Sequence, residues 1–175
     1  ALTIKEYTEK TGKAIIIGGG LLGLEFAASL RKLGQQVEVV EIFPRLLPRQ
    51  LDQDGATILK DQIEARGINI VLGVKTQEIL GKKTVSGILL DNGKELSGNL
   101  VLISAGVKSN TDLAVEAGIR VDKGVVVDQY LQTSINDVYA AGDVAEFEGR
   151  VYGIIPAAVE QAKIAAMNML EKEKQ

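Results

Sequence analysis

The 175 residues contain no cysteine and no histidine. Without cysteine these residues supply no thiol redox centre, disulfide or thiolate metal site. Without histidine they supply no imidazole acid–base catalyst, Ser-His triad or His-ligated metal. Any redox chemistry must therefore be carried by a bound cofactor. Proline is scarce, with 3 residues against 19 glycines, which favours Gly-punctuated turns over Pro-rich linkers. No apolar run approaches the roughly 18 residues that span a bilayer, so no membrane partner is expected and the expected location is cytoplasmic. The net charge of −3 gives no basic face, so no nucleic-acid partner is expected.

What is present has the composition of a globular domain, 46% hydrophobic and 25% charged. The length suits one domain plus part of a second. The first residue is Ala rather than Met, and the chain is read as a segment of a larger protein.

Residues Leu2 to Lys10 read as a short polar helix. Ala14 to Ile17 is a continuous apolar run, as in a strand buried on both faces. A Gly-rich turn follows. Then comes a helix to about Leu33, with Leu22, Phe26, Leu30 and Leu33 on one face. Val37 to Val40 is a second strand ending on Glu41, and the βαβ opening implies a parallel sheet. Asp52 caps a second helix that carries Ala56, Leu59 and Ile63 inward and stops at Gly67. Ile68 to Leu72 is a third strand. Lys75 to Leu80, Thr84 to Leu90 and Lys94 to Leu96 read as an antiparallel meander, with Asp91-Asn92-Gly93 as a hairpin turn. Leu100 to Ser104 is another buried strand. In the last third, Gly124 to Asp128 and Asp137 to Ala141 are brief strands, and Ile155 to Leu170 is helical.

Gly18, Gly20 and Gly23 form G-x-G-x-x-G between a buried strand and a helix. In that context Gly18 allows the tight turn, Gly20 lets the backbone approach a pyrophosphate, and Gly23 lets helix and strand pack closely. The amides at the helix start, those of Leu21 and Leu22, would face the phosphates. Glu41 follows Gly23 by roughly 20 residues, at a strand end where an acid accepts bonds from adenosine ribose hydroxyls and repels the extra phosphate of NADP. Arg45 and Arg49 leave the NADP alternative open, since a nearby Arg accommodates that phosphate. Glu25, just after the loop, reads as a charge placed well against a helix start.

The run from Thr133 to Asp143, T-S-I-N-D-V-Y-A-A-G-D, resembles the flavin-binding segment of the FAD-dependent pyridine nucleotide-disulfide oxidoreductase superfamily. Ala14 to Glu25, A-I-I-I-G-G-G-L-L-G-L-E, resembles that family's nicotinamide-nucleotide loop, and Ile103 to Asn110 its second nucleotide-proximal loop. The resemblance covers nearly the whole chain. It implies that Gly142 and Asp143 contact FAD, that Glu25 lies near the nicotinamide, and that Gly106 offers backbone to the nucleotide. Arg45 to Asp52, R-L-L-P-R-Q-L-D, looks most like NADH-dependent rubredoxin and ferredoxin reductases and the NADH half of nitrite reductases. The chain departs from the family in having one Gly-rich loop where members have two, and in Gln161-Ala162 where the family often has Q-G.

The expected fold is α/β: a Rossmann-like parallel sheet with helices on both faces and an inserted antiparallel meander. Residues 1–120 would form the NAD-binding domain and residues 121–175 a partial FAD-domain segment. The expected cofactors are NADH, and FAD in the intact protein. The expected partners are the remainder of the flavoprotein and an electron acceptor. No catalytic side chain and no metal ligand is expected. The stripe Ala158, Val159, Ala162, Ala165, Ala166 and Met169 on the last helix suggests self-association of the segment. Three rivals stand beside this reading: a non-catalytic NAD-binding module, a Gly-rich loop that takes FAD, and a nucleotide-dependent methyltransferase.

Overall fold

Lys13–Ile17 forms β1, and three consecutive isoleucines explain why it is central. Ile15 and Ile16 point to opposite faces and both are fully buried. β1 pairs in parallel with β2 (Gln36–Glu41) on one side and with β7 (Leu100–Ile103) on the other. β3 (Ile68–Leu72) pairs in parallel with β2, giving the order β3-β2-β1-β7. Helix α1 (Leu21–Lys32) links β1 to β2, and α2 (Gln53–Glu64) links β2 to β3. The computed structural model describes Thr8 and residues 12–170. Apart from Thr8, the helix expected over Leu2 to Lys10 therefore lies outside the described residues.

The chain divides into two compact units, Ala1–Gly106 and Val107–Gln175. In the first, one face of the parallel sheet carries Ala14, Ile16, Val37, Val39, Ile68 and Ile70, packed against Ala27 and Leu30 of α1 and against Leu59 and Ile63 of α2. The other face carries Ile15 and Val40, packed against Ile88, Leu90 and Leu96. Those three residues belong to the antiparallel sheet β4 (Thr76–Leu80), β5 (Gly87–Leu90) and β6 (Glu95–Ser97). The α/β fold with its meander is as expected, but among the described residues the linking helices pack on one face and the meander on the other. A parallel sheet needs cover on both sides, and here the meander supplies the second cover because its apolar residues alternate onto one face.

The face of α1 also differs from expectation. Gly23, Ala27 and Leu30 are buried, whereas Leu22, Phe26 and Leu33 are exposed. Gly23 must meet the Gly18 carbonyl, and that contact turns residues 23, 27 and 30 toward the sheet. The larger apolar residues fall about one helical position, or roughly 100°, to the side. In α2 the expectation holds: the Asp52 carboxylate accepts from Gly55 N–H at 2.8 Å, and Ala56 is buried. β5 starts at Gly87 instead of Thr84, because Ser86 N–H donates to the Leu80 carbonyl and closes the turn.

The second unit holds α3 (Asp112–Glu116), a parallel pair β8 (Val125–Val127) and β9 (Ala145–Phe147), and α4 (Ile155–Leu170). The strand expected at Asp137 to Ala141 is a single bridge between Gln132 and Tyr139. Its place is taken by β9. Glu146 in β9 is buried, and its Oε2 accepts from the N–H groups of Lys123 and Gly124 at 2.7 and 2.9 Å. α4 packs Ala165 and Ile164 against Val127, Leu131 and Ala145. Of the stripe expected to be uncovered, Val159, Ala162, Ala166 and Met169 are exposed, but Ala165 is buried and Ala158 partly so.

Candidate functional site

The order β3-β2-β1-β7 reverses direction at β1. In open parallel sheets ligands bind outside the carboxyl ends of the strands at such a switch point. Here that place is made by the turn after β1 and the loop after β7. Gly18 N–H donates to the Val40 carbonyl, and Ser104 N–H donates to the Ile17 carbonyl, both at 2.8 Å. Gly18 has φ +113°, and a Cβ on it would stand 2.3 Å from the Ser104 carbonyl oxygen. A Cβ on Gly23 would stand 2.0 Å from the Gly18 carbonyl oxygen. These two glycines are required by the packing of the chain itself.

Gly20 is different. Its φ of −76° and ψ of 177° suit any residue, and nothing lies within 4 Å of where its Cβ would be. No contact within the fold calls for a glycine there. A bare backbone at this point permits close approach from outside. Gly20 is also the N-cap of α1 and makes no side-chain capping bond. Among the described residues no side chain caps the first turn, where Leu21 and Leu22 are both exposed. The first turn contains no acidic residue. Glu25 lies beyond it, exposed, so the charge–dipole placement expected of Glu25 does not apply.

Glu41 closes β2 and is buried at 7% exposure. Its Oε2 accepts from Gly19 N–H at 2.6 Å and its Oε1 from Phe43 N–H at 2.9 Å. The carboxylate is thus tied to the Gly-rich loop and to the loop after β2 at once. Each oxygen keeps a further lone pair for a ligand donor. Arg45 donates to the Pro48 carbonyl at 3.1 Å, within its own loop, and Arg49 is exposed. Gly106, at φ +105°, has open space around it. The structure brings Gly18, Gly20, Leu21, Leu22, Gly23 and Glu41 together. Sequence reasoning missed Gly19, which bonds Glu41, and Leu46, whose Cδ2 stands 2.8 Å from where a Cβ on Gly19 would lie. The extra glycine between the two motif glycines of G-G-G was the available signal.

In the second unit, Gly142 and Asp143 form the turn before β9. Gly142 N–H donates to Gln161 Oε1 of α4 at 2.8 Å, and Ser109 Oγ donates to the Asp143 carbonyl at 2.8 Å. The Asp143 side chain is exposed. Gln161, noted in the sequence only as a departure from Q-G, is what holds this turn to the helix.

A cavity of about 250 Å³ opens elsewhere, lined by Lys13, Arg31, Gln36, Gly67 and Asn69. It lies at the amino ends of the strands, away from the Gly-rich loop, and the switch-point geometry favours the loop as the site. Among the described residues no group of three or more acidic, His or Cys side chains could hold a metal, and no helix is long and apolar enough to cross a membrane.

Residues 3–162 match the family described as pyridine nucleotide-disulphide oxidoreductase. The chain belongs to this family. It is 41% identical over 167 residues to a nitrite reductase [NAD(P)H] of Bacillus subtilis, covering 95% of this chain and 21% of that protein. It is 36% identical over 168 residues to the NADH-rubredoxin oxidoreductase of Clostridium acetobutylicum, covering 96% of this chain and 41% of that one. A ferredoxin reductase of Rhodopseudomonas palustris superposes with a TM-score of 0.92 at 31% identity, over 99% of this chain and 45% of its own. The chain thus spans less than half the length of these pyridine nucleotide-disulphide oxidoreductases. The names of the relatives carry NADH, NAD(P)H and FAD, the cofactors the sequence resemblance implied.

Proposed function

We propose that this chain is the NADH-binding part of an FAD-dependent oxidoreductase that hands electrons from flavin to a further carrier or centre, of the kind served by rubredoxin, ferredoxin or nitrite reductases. The observation that carries the NADH reading is Gly20. It faces open space beside an uncapped helix N-terminus, at the switch point of a parallel sheet. A dinucleotide diphosphate is the ligand that such a loop accepts.

The residues present fit NADH. Gly20 gives the diphosphate room, and the amides of Leu21 and Leu22 donate to it with the positive end of α1 behind them. Gly18 and Gly23 hold the loop in shape. Glu41 accepts from the ribose hydroxyls and repels a 2′-phosphate. Gly106 offers backbone, and Glu25 orients the nicotinamide. For FAD, the exposed Asp143 carboxylate beside Gly142 is a single anchor. The rest of that site would come from the remainder of the flavoprotein. When bound, NADH supplies a hydride that the flavin of the intact protein accepts. The side chains position and select, and none is required to move a proton.

Titration of NADH and NADPH into wild type and Glu41→Ala tests the reading. NADH should bind wild type more tightly than NADPH does. Glu41→Ala should weaken NADH by roughly 1–3 kcal/mol, the worth of a charged hydrogen bond. Equal or tighter NADPH binding by wild type would overturn it.

A further inference from the structure

Gly19 lies between the motif glycines, where the motif allows any residue. Yet it is buried, and a Cβ placed on it would stand 2.8 Å from Leu46 Cδ2 and 3.1 Å from Glu41 Cβ. Leu46 is fully buried within the loop that follows β2, so it has little room to withdraw. The missing side chain lets the loop close on Glu41, and the result is the 2.6 Å bond from Gly19 N–H to Glu41 Oε2. With Phe43 N–H on the other oxygen, the carboxylate is clamped from two sides and held in one orientation. A clamped acceptor forms ligand bonds without losing side-chain freedom at the moment of binding.

We infer that Gly19 is a positioning and specificity-determining residue. It holds the Glu41 carboxylate in the orientation that selects a nucleotide with a free ribose diol over one carrying a 2′-phosphate. Leu46 is the wall that makes the absence of a side chain at Gly19 necessary. The inference rests on the reading of Gly18–Gly23 as the NADH loop. It adds that the preference for NADH is set in part by a residue that touches Glu41 and does not itself choose between the nucleotides.

Gly19→Ala should push Glu41 and Leu46 apart and free the carboxylate. NADH binding should weaken about tenfold, as for loss of one well-oriented charged bond. NADPH should weaken less, so the ratio of the two dissociation constants narrows. A merely structural role would weaken both nucleotides together. Replacing Leu46 by Val in the Gly19→Ala background removes the Cδ2 atom in the way and should restore most of the preference. The Gly19 amide gives a measurement that needs no variant at this position. Its proton should be protected from exchange in wild type and should lose that protection in Glu41→Ala, which removes both acceptor oxygens. Unchanged preference in a folded Gly19→Ala protein, or an unprotected Gly19 amide in wild type, overturns the inference and leaves the NADH reading standing. Failure of wild type to bind either nucleotide overturns both.

Discussion

A Cβ on Gly23 would stand 2.0 Å from the carbonyl oxygen of Gly18, so the first and last glycines of the loop fit each other before any ligand is considered. Gly20 has no such neighbour. The pair of variants Gly23→Ala and Gly20→Ala therefore separates fold from ligand. Gly23→Ala should lower stability by about 1–3 kcal/mol, the usual cost of forcing volume into a packed site. Gly20→Ala should shift stability by less than about 1 kcal/mol while weakening NADH about tenfold or more. Thermal unfolding and nucleotide titration of the two proteins check this. Equal effects of both variants on both measurements would contradict it.

At the other end of the sheet, Glu38 is buried. Its Oε1 accepts from Asn69 Nδ2 at 2.8 Å. Its Oε2 forms an ion pair with Lys13 Nζ at 2.6 Å that falls outside hydrogen-bond geometry. Glu38→Ala leaves a partly buried ammonium and an amide without their acceptor, and should cost about 1–3 kcal/mol. The ion pair is partly exposed on the Lys13 side, so the smaller half of that range is expected. NADH affinity should not change. A loss of affinity at unchanged stability would place the nucleotide at the wrong end of the sheet.

Gln161 supplies the acceptor for Gly142 N–H. Gln161→Ala should free the Gly142 amide for exchange and cost about 1 kcal/mol, whereas Gln161→Glu retains an acceptor oxygen and should keep the amide protected. An amide that stays protected in Gln161→Ala would show that the turn holds itself.

The 175 residues contain one Gly-rich loop of the G-x-G-x-x-G type, and the flavin contacts proposed for them reduce to the Gly142–Asp143 turn. One anchor does not offset the cost of immobilising a cofactor of that size. The polypeptide purified as these residues alone should be colourless and should not oxidise NADH with an artificial acceptor. A stoichiometric flavin spectrum would refute this.

The parallel sheet was legible because β1 and β7 are runs of aliphatic residues that read the same from either face, and because β2 follows β1 across a Gly-rich turn and a helix. Asp52 and Gly67 were legible as helix bounds because their chemistry is local. The burial of α1 was not. Leu22, Phe26 and Leu33 have the size and spacing of a core stripe, and only the contact between Gly23 and Gly18 shows that small residues face the sheet. β9 was missed because Glu146, buried to bind two backbone amides, reads as a surface residue. Asp137 to Ala141 read as a strand because Val138 to Ala141 is apolar, but Asp137 has φ +62° and ends any ladder there. At the site, the motif glycines and Glu41 were legible from spacing. The clamp of the Gly19 and Phe43 amides on Glu41 was not, because it depends on the Gly-rich loop meeting a carboxylate 22 residues further along the chain.

The central claim, that the Gly18–Gly23 loop binds NADH, is tested most directly by following backbone amide resonances while NADH is added. The account predicts the largest shifts at Gly19 through Gly23 and at Glu41, saturating together, with little change at Lys13, Glu38 and Asn69. Shifts centred on those last three residues, or none at saturating NADH, would contradict it.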